Sequence, residues 1–210
     1  MKQQKIRTIY LGAVLLVGGM LVLSGCTAPA ATTSEAESRI NKTVTVNPAT
    51  AVAQQALKFY HSVTLDQPRA QVETNLGVSG EDQPDGRVAY RDPDSGYGVL
   101  ISYGEDQTVF AKRLIPTALA TELATLNPLP VTDKQVYRMA TGMPFYEVQE
   151  VMGSDGYEIS LSKVESDNAK QLIGRGWFNP DGSYAVVYLN LPSGQVAGSE
   201  FVVASGDDGE

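Results

Sequence analysis

Residue types able to do chemistry are scarce in this chain of 210 residues: one cysteine, Cys26, and one histidine, His61, stand among 24 Asp+Glu and 16 Lys+Arg. That inventory excludes an internal disulfide, Cys-rich zinc sites and multi-histidine metal sites. A hydrolytic triad needs a base beside a nucleophile. His61 ends a predicted helix next to Phe59 and Tyr60, and Asp66 is near enough in sequence to orient it, but no Gly-x-Ser-x-Gly elbow follows. A plain helix-end histidine is the simpler reading. Paired carboxylates do glycosidase work, and here the pairs are Asp92/Asp94 and Glu81/Asp82/Asp85. All sit in Gly/Pro-rich stretches where Asp serves as a turn former. Asp92-x-Asp94-x-Gly96 resembles the start of a calcium loop but lacks the later bidentate Glu. The expectation is a protein without enzymatic activity, cofactor or metal.

Cys26 is the exception. Lys2, Lys5 and Arg7 precede an uncharged apolar run, Ile9 to Leu23, which leads into Ser24-Gly25-Cys26. A positive start followed by 15 apolar residues, too few for a comfortable membrane span, reads as a secretory signal over residues 1–25. Leu23-Ser24-Gly25-Cys26 resembles the bacterial lipobox. That resemblance implies diacylglyceryl transfer to the Cys26 thiol and cleavage before it. Two or three acyl chains, at about 0.8 kcal/mol per buried methylene, hold a protein firmly on a membrane. The expected location is extracytoplasmic, lipid-anchored to the cell membrane, and the style of the linker points to a Gram-positive surface. Removing Lys2, Lys5 and Arg7 leaves 13 cations against 24 acids, a net −11. Such a charge excludes a nucleic-acid partner and electrostatic adhesion to anionic lipid.

The elements that must position any further site begin after a Thr/Ala/Ser/Pro-rich linker, residues 26–47, without apolar periodicity. With 42% hydrophobic and 19% charged residues, the remainder can build a core. It also repeats itself. Leu65–Gly77 aligns with Thr141–Gly153, matching Pro68 with Pro144, Val72 with Val148, Leu76 with Met152 and Gly77 with Gly153. Proline suits a first helical turn, residues four apart share a face, and glycine closes a helix, so each copy predicts a short helix. Downstream, Tyr90-Arg91-Asp92-Pro93 aligns with Trp177-Phe178-Asn179-Pro180, but at an offset larger by 11 residues.

Asp/Asn-Pro-Asp is hairpin chemistry. β-rich runs flank it at 87–91, 97–103 and 108–114, then at 158–164, 171–178, 183–191 and 195–203. Helical patterns cover 50–61 and 131–140, with a connecting helix over 117–126. The expected fold class is α+β: two tandem units, each a helical hairpin packed on an antiparallel β-meander. The expected organisation is a first repeat at 48–115, a connecting segment at 116–130, a second repeat at 131–204 and an acidic tail at 205–210.

A Pro-x-x-x-Val-x-x-x-Leu/Met-Gly helix followed by a meander with an aromatic before its hairpin resembles the β-lactamase-inhibitor-like family, which is related to small outer-membrane-assembly lipoproteins. Gly142-Met143 matches the family's Gly-Met signature before the helix. The resemblance covers residues 57–201. It implies two units joined in one curved sheet whose concave face grips a protein.

Strand parity puts Tyr184, Val186 and Tyr188 on one face and Ala185, Val187 and Leu189 on the other; Tyr97, Val99, Ile101 and Tyr103 also share a face. Tyrosine and tryptophan are enriched where proteins recognise one another. The candidate partner-binding residues are therefore Tyr97, Tyr103, Trp177, Tyr184 and Tyr188, with Trp177 assigned by its place before the hairpin. The expected function is a membrane-anchored, non-enzymatic protein-binding module with an extracytoplasmic protein partner. A structural envelope-maintenance lipoprotein and a small-molecule or glycan sensor stay open as alternatives.

Overall fold

A computed structural model describes residues 47–116 and 121–203. The signal, Cys26, the linker before Asn47 and the acidic tail lie outside the described residues. Helix α1, Pro48–His61, begins where the sequence supplies two start signals: Asn47 Oδ1 accepts from the Ala49 N–H at 3.0 Å, and Pro48 opens the first turn. It buries Ala53, Ala56, Phe59 and Tyr60. The repeated motif forms α2, Arg69–Leu76, and α5, Phe145–Met152. Pro68 and Pro144 lead them in, and Gly77 (φ 68°) and Gly153 (φ 75°) end them with left-handed caps whose N–H groups donate to Glu73 and Gln149 carbonyls. Only glycine takes that conformation without a Cβ penalty. Between them lie α3, Thr121–Ala124, and α4, Asp133–Val136, one turn each.

The strands are β1, Glu81–Asp82; β2, Val88–Arg91; β3, Gly98–Tyr103; β4, Val109–Ile115; β5, Tyr157–Val164; β6, Asp167–Phe178; β7, Tyr184–Leu191; and β8, Gln195–Val202. They form one eight-stranded, all-antiparallel sheet in chain order. All described residues fall in a single compact unit, Thr45–Glu210.

The expected α+β pair of tandem units, each a helical hairpin on its own meander, is thus corrected in two respects. The sheet is continuous, and the helices are mostly too short to make hairpins. The extra residues of the second copy explain the first point. At the offset of the repeated helices, β1 corresponds to Tyr157-Glu158, and both pairs hydrogen-bond to the strand before the Asp/Asn-Pro turn. The extra residues lengthen β5 and β6 beyond that point. The added part of β5 supplies Ser160, Leu161 and Ser162, which pair with Arg113, Lys112 and Ala111 of β4. A segment that reads as an insertion is the joint between the halves.

The second point concerns residues 131–140. Thr132 caps α4 in a capping box with Gln135, yet the helix stops after one turn. The chain beyond it is drawn onto the sheet edge, where Gly142 N–H donates to Val196 O at 2.8 Å and Val196 N–H donates to Met143 O at 2.8 Å. Satisfying the edge of β8 wins over extending the helix.

The helices share one side of the sheet. Ala53, Ala56, Phe59 and Tyr60 of α1 and Val72 of α2 pack with Val88, Tyr90, Val99 and Ile101, joined by Leu123 of α3. Val136 of α4 and Val148 and Met152 of α5 pack with Trp177, Ala185, Val187 and Leu189. Among the described residues no helix is long and apolar enough to cross a membrane.

Candidate functional site

A buried polar cluster lies under α1. The Lys112 ammonium donates to Val63 O at 2.8 Å, sits 3.3 Å from Glu158 Oε1 and lies 4.0 Å from the centre of the Tyr60 ring. Tyr60 Oη–H donates to the same Glu158 oxygen at 3.0 Å. Burial lowers the Lys112 pKa, against the opposing pull of Glu158, and raises that of Tyr60. Each member comes from a different element, α1, β4 or β5, so the cluster pins the joint between the halves. His61, at the end of α1, has its pKa lowered chiefly by burial and further by Lys112 and Arg175, against Glu158. Asp66 does not orient it, because its carboxylate pairs with Lys163. Asp92 accepts from Ser95 Oγ at 2.6 Å and from the Asp94 N–H at 3.3 Å, the bonding of a turn former. Among the described residues no group of three or more His, Cys, Asp or Glu is placed to hold a metal ion.

The five aromatic candidates do not share a surface. Trp177 is fully buried on the helix side, its indole N–H donating to Ser154 Oγ at 3.0 Å. The reason is parity: it points with Ala185, its cross-strand partner, toward α4 and α5. Tyr97 is fully buried too, and its hydroxyl donates to Glu122 of α3 at 2.8 Å. Tyr103 is half-buried, shares a 2.8 Å hydroxyl–hydroxyl bond with Tyr90 and packs with the helix-side core. Trp177, Tyr97 and Tyr103 are therefore architectural. Tyr184 and Tyr188 lie by register on the other face, half-buried, and pack against a buried cluster that includes Ile159, Phe178 and Val186.

That other face carries the candidate site. A cross-strand row runs Leu100, Arg113, Ser160, Gly174, Tyr188, Gly198 through β3 to β8. A second row, Ser102, Ala111, Ser162, lies beside it. Adjacent strands are spaced at about 4.8 Å, so Arg113 and Tyr188 bracket the small residues Ser160 and Gly174. The Tyr188 ring leans over Gly174, and on the β3–β5 side of Arg113 and Ser160 the two rows leave a depression of about 150 Å³ bounded by Leu100, Ser102, Ala111, Arg113, Ser160 and Ser162, with Arg87 at its rim. It meets, at Arg113, a second notch of about 40 Å³ whose walls include Ile159, Phe178 and Tyr184. Among the described residues no helix residue lines either one.

Two local devices shape the surface. The register shifts between Glu158 and Ser160, so the extra residue Ile159 turns onto this face. It lies across Gly176, where an added Cβ would meet Ile159 Cδ1 at 2.8 Å. Phe178 stacks on Tyr184, ring centres 5.7 Å apart. Tyr188 Oη–H donates to Glu200 Oε1 at 2.7 Å. Burial and the carboxylate push its pKa up to about 12, while the charge of Arg113 acts in the opposite direction.

Sequence reasoning missed Arg113, Ser160, Ser162 and Ile159. The signals for Arg113 and the glycines were present: a cation at the uncovered parity of an apolar strand, and Gly174-x-Gly176 inside a strand, which marks close approach of neighbours. No family model matches the chain, and no curated protein matches it.

Proposed function

We propose that this chain is a membrane-anchored, extracytoplasmic lipoprotein, tethered through lipid on Cys26, that acts as a non-enzymatic protein-binding module of the β-lactamase-inhibitor-like kind. The observation that carries the reading is the uncovered face of the sheet. Eight strands have helices on one side, and the other side exposes a shallow surface of Leu100, Arg113, Tyr184 and Tyr188. Shallow, partly apolar relief with tyrosine and arginine suits a protein surface better than a small molecule, which needs deep enclosure. A single sheet with one open face is also what the family resemblance implies.

The test places a photo-crosslinking side chain in the full-length protein, in the source cell, at Leu100 or Tyr184 and, as a control, at Tyr146, which is 61% exposed on α5. The reading expects one discrete protein adduct from the first two positions and none from the third. Adducts from Tyr146 alone would move the site to the helix side. Palmitate labelling that persists in Cys26→Ser would remove the anchor from the proposal.

A further inference from the structure

The uncovered face also carries a chemical signature that narrows the partner. Most serines of the described residues are spoken for: the hydroxyls of Ser62, Ser95, Ser154, Ser183, Ser193 and Ser199 take part in hydrogen bonds. Ser102, Ser160 and Ser162 line the larger depression, half-buried, and none of their hydroxyls bonds to a described residue. Arg113 stands between them and, among the described residues, makes no ion pair and no side-chain hydrogen bond. Lys112, its neighbour in the chain, is committed to Glu158 on the opposite side.

No carboxylate lines either hollow, although the whole chain is acidic, with net charge −8. A guanidinium and three hydroxyls without a bonding partner among the described residues therefore line one depression of an acidic chain, and the Glu200 carboxylate on the same face is bonded to Tyr188. At the other end of the same surface, half-buried Tyr184 over the buried Ile159 and Phe178 forms a small apolar notch that shares Arg113 as a wall.

Resting on the docking face proposed above, we infer that the partner is a protein presenting a projecting loop with an Asp or Glu beside an apolar or aromatic side chain. The loop carboxylate pairs with the Arg113 guanidinium and accepts from the hydroxyl of Ser160 or Ser102. The apolar neighbour packs on Tyr184 at the mouth of the notch. Arginine presents its donors as a planar fork that matches a carboxylate two-on-two. The small residues at 102, 111, 160 and 162 supply the room for a protruding turn. Charge complementarity of this kind fixes register and speeds encounter.

The test uses the full chain in detergent micelles against a phage-displayed library of disulfide-closed heptapeptides. The strongest peptide is then synthesised and titrated by calorimetry. Enriched sequences should pair an acid with an adjacent apolar or aromatic residue. Replacing Arg113 in Arg113→Gln should weaken the chosen peptide about tenfold or more, Arg113→Lys should restore part of the loss, and salt at about 0.5 M should weaken the wild type.

Enriched peptides without an acid, or binding lost in Tyr184→Ala yet unchanged in Arg113→Gln, would overturn the acidic-loop inference while leaving the docking face standing. Binding indifferent to Arg113→Gln, Tyr184→Ala and Tyr188→Ala together would overturn both. A library that yields no binder would count against the loop, with the crosslinks from Leu100 and Tyr184 then deciding the docking face separately.

Discussion

Lys112 and Arg113 are consecutive in β4, carry the same charge and face opposite ways. Lys112 is buried among Tyr60, Glu158 and the Val63 carbonyl; Arg113 is exposed on the face opposite the described helices. The same split recurs in β5, where Glu158 joins the buried cluster and Ile159, one residue on and displaced by the register shift, turns to the open side. Trp177 and Phe178 repeat it in β6. One side of the sheet spends Lys112 and Glu158 on each other, while the other leaves Arg113 without an ion pair among the described residues and bonds only Tyr188 to Glu200. The lesson is that residue type says little about role in a sheet until the side is known.

The sharpest test of that contrast is to delete a large ring from each side. Trp177→Ala should cost about 3–5 kcal/mol in urea unfolding, because the indole is fully enclosed and its N–H is bonded. Tyr184→Ala should cost much less and weaken partner binding instead. Equal losses of stability would erase the distinction between the two sides.

Breaking the buried cluster comes next. Lys112→Ala leaves the Glu158 carboxylate facing the core and should cost about 3–5 kcal/mol, whereas replacing Lys112 and Glu158 together by apolar residues of similar volume should cost less. A double variant as unstable as the single one would mean that packing rather than uncompensated charge sets the penalty.

Gly176→Ala probes the open side without touching a charge. An added methyl meets Ile159 Cδ1 at 2.8 Å and Phe178 Cε2 at 3.1 Å. Overpacking of this sort costs about 1–3 kcal/mol, and displacing Ile159 and Phe178 from the notch should weaken binding more than the loss of stability suggests.

A smaller effect belongs to pH. His61 has its folded pKa below the usual 6.5, chiefly through burial, so the unfolded chain takes up the proton first. Its contribution is complete above about pH 6.5 and is lost as the pH falls from there through the folded value. The midpoint of thermal unfolding should therefore drop on acidification through that window, and drop less in His61→Gln. The smallest expected change is in Arg113→Gln, which should move stability within about ±0.5 kcal/mol because the side chain is exposed and unpaired, while binding falls.

Much of this was legible beforehand. The helices bracketed by Pro68 and Gly77 and by Pro144 and Gly153 follow from local sterics, and β-rich composition between turn signals marks the strands from Val88 to Val202, except that β6 begins at Asp167 rather than at Gln171. β1 was not legible, because Glu81-Asp82 has little strand propensity and is held by its pairing with β2. The parity of Tyr184 and Tyr188 was read correctly from β7, whereas Trp177 was placed by its position before the turn and came out on the wrong side. The uncovered face itself needs knowledge of where helices pack, and that follows from long-range contacts that no local pattern encodes. The same is true of the 11-residue difference between the copies, which looks like a loop until β5 is seen against β4.

That joint also bears on how the chain reaches its native state. Almost every described strand folds back on the one just before it through a short turn, so its pairing closes a small loop at modest entropic cost. Between β4 and β5 the chain instead runs from Ile115 to Tyr157 through three helices before three residue pairs can form. Closing a long connection costs more chain entropy than closing a short turn, so β1–β4 and β5–β8 should zip up first, with their docking as the slow event. Until it occurs, each half shows a bare strand edge, and a newly made chain should be most prone to aggregate in that interval.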